Sequence, residues 1–389
     1  MANGVLAPAA APPRTAVVLA GFAAYGALWG PYLAAMPQIR AATGADSGQL
    51  GLALLAGAIA AILPMAVVGR LLDRFGRAAA VPALASFGVV AVLPLLAGSL
   101  PALVVSLALF GIGSGAYNVA IVALASTVES DGRTKVLAKA HGLFSVGVLL
   151  VSTGTGLAGT VGVSPVAVSG TLSAAVVVWA FAVRRAVPRR AAAPPRPGRR
   201  RVRPSLLLCL LAGLAMVVES GVQQWSAIAL RDLTATSLAI AAAAPGVFAA
   251  AMAGGRLSGH RLTTRFRERT VLLAAGACAG TGVLLVATAG SPPAALAGVA
   301  VTGAGISLVT PVSYGLAGRG APPGTRGAVL GATASLANVG LLLGPALVGQ
   351  LSGVAGLRTA LLGLIPISAV VCVLATRIGP VPHRERTTT

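Results

Sequence analysis

The chain is 389 residues long, 56% hydrophobic and only 10% charged, and it carries a formal net charge of +21. Its apolar residues come as uninterrupted blocks of about 20 residues, enough to cross roughly 30 Å of hydrocarbon; this excludes an ordinary soluble domain, and the lack of polar/apolar alternation excludes a transmembrane barrel. The basic residues are scattered between these blocks and aromatics make up only 4%, so no recognition face for nucleic acid can assemble.

Taken in chain order, the stretch from Met1 to Pro13 has no charged side chain. The apolar run that follows is too long for a signal-peptide core, so the first span is expected to be retained. Helices are expected at 16–37, 48–69, 78–98, 101–125, 138–161 and 163–183, then at 205–230, 238–259, 270–289, 292–317, 327–351 and 357–376. The fold class is therefore all-α integral membrane, with twelve transmembrane helices in two six-helix halves, residues 1–183 and 205–376. Pro31, Pro64, Pro94, Pro245, Pro311 and Pro345 fall inside spans, where they remove a backbone donor and are expected to kink helices.

The segment 184–204 carries nine arginines and no acid, so it cannot bury a core and reads as a solvated linker between the halves. It serves either as a spacer that fixes topology or as an anchor to anionic lipid. With both termini cytoplasmic, including a tail at 377–389, 26 of the 29 Lys/Arg fall on cytoplasmic segments and only Arg40, Arg231 and Arg358 outside, as the positive-inside rule requires. The expected location is the cell (inner) membrane of a bacterium, multi-pass. Cys209, Cys278 and Cys372 each lie in an apolar span and show no metal-ligand spacing, so they read as small hydrophobes. Five glycine pairs at spacing four, Gly111/Gly115, Gly255/Gly259, Gly327/Gly331, Gly340/Gly344 and Gly349/Gly353, let helices approach closely. They are expected to serve packing within a single bundle, and a monomer is expected.

Between spans 2 and 3 stands Gly69-Arg70-Leu71-Leu72-Asp73-Arg74-Phe75-Gly76-Arg77, read as a short cytoplasmic turn. It resembles the major facilitator superfamily signature GxxxDRxGR at every defining position. The resemblance implies a transporter working by alternating access, with Gly69, Asp73, Arg74, Gly76 and Arg77 as a cytoplasmic gating loop. Asp73 would dock on the N-terminus of span 11 near Gly327, where the helix dipole is positive. The corresponding turn of the second half, Gly255-Arg256-Leu257-Ser258-Gly259-His260-Arg261, repeats the start of the motif with Gly259 in place of the acid, so no charge role is transferred there. Further likeness runs through Tyr117-Asn118-Val119, His141 to Ser145, and Glu219 to Asp232, and it points to a bacterial subgroup of the superfamily whose substrates are mostly unassigned. Drug antiporters of the superfamily carry an arginine in span 4 where this chain has Leu107. Their Gly-Pro motif in span 5 is missing as well, which weakens a conventional drug-antiport reading.

Of the eight acids, seven sit in loops or at span ends, whereas Glu219 lies about fifteen residues into span 7. A charge at that depth costs about 2.5–3.5 kcal/mol on insertion scales, so Glu219 is the candidate for proton coupling, with His141 as a candidate relay. The competing readings for Glu219 are a polar bond that glues spans together or a direct ligand for a cationic solute. Tyr25, Trp29, Asn118, Gln223, Tyr314 and Asn338 are the substrate-pocket candidates, because transporters of repeated halves bind solute at the midplane. A pocket of aromatics and amides with one acid suits a neutral or weakly cationic amphipathic molecule. That favours export of a metabolite or drug-like compound over proton-coupled uptake of a sugar or other nutrient. The chain contains no GxSxG, HExxH or phosphate-loop pattern, so no enzyme activity, cofactor, metal or ATP-driven transport is expected. A sensor or scaffold that keeps the transporter fold is the alternative from another class.

Overall fold

The computed structural model describes residues 14–132, 136–187, 205–322 and 325–379. Among them are twelve helices long and apolar enough to span a membrane, numbered here as spans 1 to 12: Thr15–Ala34, Ser47–Phe75, Arg77–Leu96, Leu100–Glu129, Lys139–Thr160, Pro165–Arg185, Leu206–Thr234, Leu238–Arg265, Glu268–Thr288, Pro292–Arg319, Arg326–Ala355 and Leu357–Thr376. Every expected span is present. Spans 2 and 8 run six residues beyond the expected ends at 69 and 259, reaching Phe75 and Arg265. Charged residues end the apolar run there, yet arginine is a good helix former, so the backbone ladder continues. The basic linker at 188–204, the tail beyond 379 and the first thirteen residues lie outside the described residues.

Prolines shape the spans as their chemistry predicts. The helices break at Ala61, at Ala242–Ala243 and at Ser307–Leu308, two to four residues before Pro64, Pro245 and Pro311. Each proline lacks the N–H that would bond back to that turn, and its ring crowds the carbonyl there. Pro94 sits in a 3-10 turn, Leu93–Leu96, whereas Pro31 and Pro345 are carried within continuous helix.

In each half the first helix lies along the fifth: span 1 packs on span 5 and span 7 on span 11. Glycines permit the closest approaches. Gly111 and Gly115 fit against Gly57 and Ala61 of span 2, Gly255 and Gly259 against Ser307 and Leu308 of span 10, and Gly340 and Gly344 against Gly213 and Val217 of span 7. Gly349 and Gly353 differ, because they meet Gly51 and Gly48 of span 2 and so join the two halves. Gly327 and Gly331 have no atom within 4 Å of a would-be Cβ.

The face where span 1 begins and span 12 ends is called the terminal face, and the opposite one the far face. The halves are clamped at the far face. Gly51 and Gly349 touch backbone to backbone, Gln350 Nε2 donates to the Gly48 carbonyl at 2.8 Å, and Arg40 pairs with Asp232 at 2.7 Å. Gly156 of span 5 is seated against Ala239 at the start of span 8. Toward the terminal face each half packs on itself: Ile62–Phe75 of span 2 on spans 3 and 4, and Val309–Arg319 of span 10 on spans 7, 9 and 11. Spans 5 and 8 continue the contact between the halves as far as Leu149 and Gly246, and from that level the halves part toward the terminal face.

Candidate solute and proton site

Glu219 is the fourteenth residue of span 7, about 20 Å along the helix from the terminal face at 1.5 Å per residue. It does not stand alone. Arg256 of span 8 donates from Nη2 to Glu219 Oε1 at 3.3 Å, with the carboxylate side chain 13% exposed and the guanidinium side chain 35% exposed. Glu219 Oε2 is buried and makes no hydrogen bond among the described residues. By hydropathy alone Arg256 falls on a cytoplasmic turn. It lies instead within the helix Ala244–Arg265, about 14 Å from that helix's terminal end, and the pocket thus holds a base as well as an acid. This removes the ground for expecting a cationic solute. A pattern in the sequence could have found it: Arg256 is four residues from Met252 and eight from Phe248, both buried, so it continues the inward stripe of span 8.

Two candidates join the pair. His141 of span 5 lies within electrostatic reach of Arg256, and Tyr314 of span 10 within that of Glu219. His141 is exposed, and its ring meets Phe22 of span 1 edge-on at 5.1 Å. Spans 5, 7, 8 and 10 thereby bring one acid, one arginine, one imidazole and one phenol into one neighbourhood. Gln223 is half-buried one turn from Glu219. Asn338 is exposed two turns from Pro345, on the face of span 11 that packs on span 2 at the far face, so it looks into the gap where span 2 has diverged.

Tyr25 and Trp29 are half-buried and pack against an aromatic cluster. The Tyr25 hydroxyl is 2.8 Å from Ser114 Oγ, and its ring stacks on Tyr117 at 5.1 Å, whose own hydroxyl donates to the Gly21 carbonyl at 2.8 Å. Trp29 sits edge-on to Phe110 at 5.0 Å within the same aromatic cluster, which also takes in Phe87 and Tyr32. These contacts tie span 1 to spans 3 and 4, so the two residues help hold the N-terminal half together while part of each side chain stays accessible. Asn118 is half-buried next to Tyr117 in span 4.

The signature segment is helix through Phe75, not a loop, and turns only at Gly76. Gly76 has φ 53° and ψ −122°, a conformation open to glycine alone. Arg77 then donates from Nε to the Val187 carbonyl at 2.8 Å and from Nη2 to the Arg185 carbonyl at 3.1 Å. The last arginine of the motif thus holds the end of span 6. Gly69 has open space around it, and Asp73 and Arg74 are exposed. Asp73 makes no ion pair or hydrogen bond among the described residues, so the expected docking on span 11 is not made in this open state.

The family model described as Major Facilitator Superfamily matches residues 17–335 and, in a second overlapping match, 208–389. An uncharacterized MFS-type transporter of Yersinia pestis is 30% identical over 353 residues, 89% of this chain and 90% of that protein. An uncharacterized transporter of Sinorhizobium fredii is 29% identical over 377 residues, 92% and 96% of the two chains. Among solved structures, a point mutant of the nucleoside transporter NupG superposes with a TM-score of 0.75 at 14% identity, covering 93% of this chain and 99% of that one.

Proposed function

The chain belongs to the major facilitator superfamily, a family of transporters and not of enzymes, and from that membership we propose that it couples the movement of a small organic solute to protons by alternating access. Supporting this reading is the pairing of Glu219 with Arg256 deep in the bundle, on the terminal-face side of the far-face clamp. A carboxylate with one oxygen on a partly exposed guanidinium and the other buried and unused is a group whose partner can be exchanged. Taking up a proton there releases Arg256, and giving it up restores the pair, so protonation and the charge presented to the gap are linked. The distribution of Lys/Arg supports a bacterial cell-membrane location with the terminal face cytoplasmic, which makes the described state open to the cytoplasm. In the proposed cycle the far-face clamp of Gly51, Gly349, Gln350, Arg40 and Asp232 parts as the halves rock, and Asp73 docks on span 11 when the cytoplasmic side closes. Residues 1–183 and 205–376 are the two rocking bodies.

Direction turns on who shares Glu219. A solute that needs the carboxylate charged competes with the proton, which gives antiport and export of a metabolite or drug-like compound. A solute that binds beside the protonated carboxylate enters with the proton, which gives uptake. The test is thermal unfolding of the purified protein against antibiotics, metabolites, sugars and amino acids at mildly acidic and mildly alkaline pH, in wild type and Glu219→Gln. A ligand at 100 times its Kd stabilises by about 2.7 kcal/mol. The expected result is one chemical class whose stabilising effect depends on pH in wild type and not in Glu219→Gln. A pH dependence that persists in the variant removes Glu219 from coupling, and absence of any ligand at either pH supports a transporter-like sensor or scaffold instead.

A further inference from the structure

We propose that the solute is a small organic anion, a carboxylate or comparable oxyanion, bound by Arg256 while Glu219 holds the coupled proton. The inference rests on the proton-coupled reading above and assigns its substrate class.

Three observations carry it. First, the Arg256–Glu219 pair is loose: its 3.3 Å separation compares with 2.7 Å for both Arg40–Asp232 and Arg319–Glu268. Charge-assisted N–H···O bonds settle at about 2.7–2.9 Å. Second, a guanidinium has five donors, and Glu219 takes one of them here, while about a third of the side chain stays open to the gap. Third, Glu219 Oε2 is buried without a hydrogen bond among the described residues, so the carboxylate is poorly satisfied as an anion in this state.

Charge counting around the pair then selects the solute. The groups within electrostatic reach of it are His141 from span 5 and Tyr314 from span 10; Cys209 of span 7 neighbours Tyr314, and its thiol lies toward Thr333. Spans 1 and 11 carry no charged residue in their middle turns. With Glu219 ionised the pair is neutral. With Glu219 protonated, Arg256 is left without a counter-charge in a partly desolvated wall, a costly arrangement. An anion repairs this, a neutral solute does not, and a cation adds to it. The His141 ring, within electrostatic reach of Arg256, has an N–H to offer to a second oxygen of the same anion. Proton and anion therefore load together, and their charges sum to zero for a monoanion. An inward proton gradient then drives uptake by symport, in place of the export favoured by an acid-only pocket.

The experiment uses full-length protein in detergent and two shape-matched triads: benzoate, benzamide and benzylamine, and cyclohexanecarboxylate with its amide and amine. Carboxylic acids of this kind remain mostly ionised at mildly acidic pH, with pKa values of about 4 to 5. The expected result is a rise in melting temperature with the carboxylates alone, larger at acidic than at alkaline pH in wild type, and equal at both in Glu219→Gln. Arg256→Gln should weaken carboxylate binding at least about tenfold, the cost of a lost charged hydrogen bond. The double variant Glu219→Gln/Arg256→Gln, with neither charge left unpaired, shows that the protein still folds and should bind none of the six. The proposal is overturned if an amide or amine stabilises as much as its carboxylate, if the carboxylate effect survives Arg256→Gln, or if no carboxylate stabilises the protein. Failure of the wider reading looks different: carboxylates that bind through Arg256 equally at both pH values in wild type refute proton coupling and leave the anion site standing.

Discussion

Replacing Gly349 by alanine tests the far-face clamp. A Cβ at Gly349 would lie 2.6 Å from Gly51 Cα and 2.7 Å from the Ser47 carbonyl oxygen. Carbon atoms are comfortable at about 3.5–4.0 Å, so spans 2 and 11 must part by about 1 Å, and both obstacles are backbone that cannot rotate away. Overpacking of this kind costs about 1–3 kcal/mol. In a state whose far face is open the two spans are separated and the cost disappears, so the methyl group should shift the balance toward that state by about 5- to 150-fold. The assay is electron-spin distance measurement in reconstituted protein, with labels on Ala42 and Arg358, which are exposed on opposite halves, after Cys209, Cys278 and Cys372 are replaced by alanine. A longer far-face distance should gain population. Gly340→Ala is the control, because its Cβ would strike Gly213 within the same half; it should lower the melting temperature without moving the distances. A Gly349→Ala distribution identical to its parent's would refute the idea that this contact belongs to one state of the cycle.

Two further outcomes follow from named contacts. Arg77→Ala removes two hydrogen bonds to the carbonyls of Val187 and Arg185, and since hydrogen bonds of charged groups contribute about 1.5–3 kcal/mol each where they are shielded and less at a half-exposed site, a fall in melting temperature of a few degrees is expected. Arg77→Lys, which cannot reproduce the fork, should recover only part of it, and full recovery would show that charge alone matters there. Arg40→Ala breaks a far-face pair whose side chains are 27% and 31% exposed. Solvent screening limits this effect to about 0–1 kcal/mol, so the far-face-open population should rise by less than about fivefold, and the difference should vanish in high salt.

How far the residues alone carry the structure depends on the range of the physics involved. Spans were legible because hydrocarbon thickness sets helix length and because no backbone group can go unpaired in lipid, both of which act on contiguous sequence. The breaks before Pro64, Pro245 and Pro311 were legible for the same reason, since a missing N–H is a local property. Span ends were less so at Asp73 and Arg256, where hydropathy stops but helical hydrogen bonding does not.

The sequence by itself therefore determined twelve apolar helices in two halves, the signature segment, and Glu219 as an acid too deep to be incidental. Only the tertiary structure decided that Arg256 reaches across from span 8 to meet it, that Tyr25 and Trp29 pack against an aromatic cluster, that Arg77 fastens span 6, and that Gly349 joins the halves instead of packing inside one. The physical reason is that each of these depends on the rotation of one helix against another. Periodicity tells which residues share a stripe, but which stripe faces which is set by the sum of many weak contacts between residues far apart in the chain.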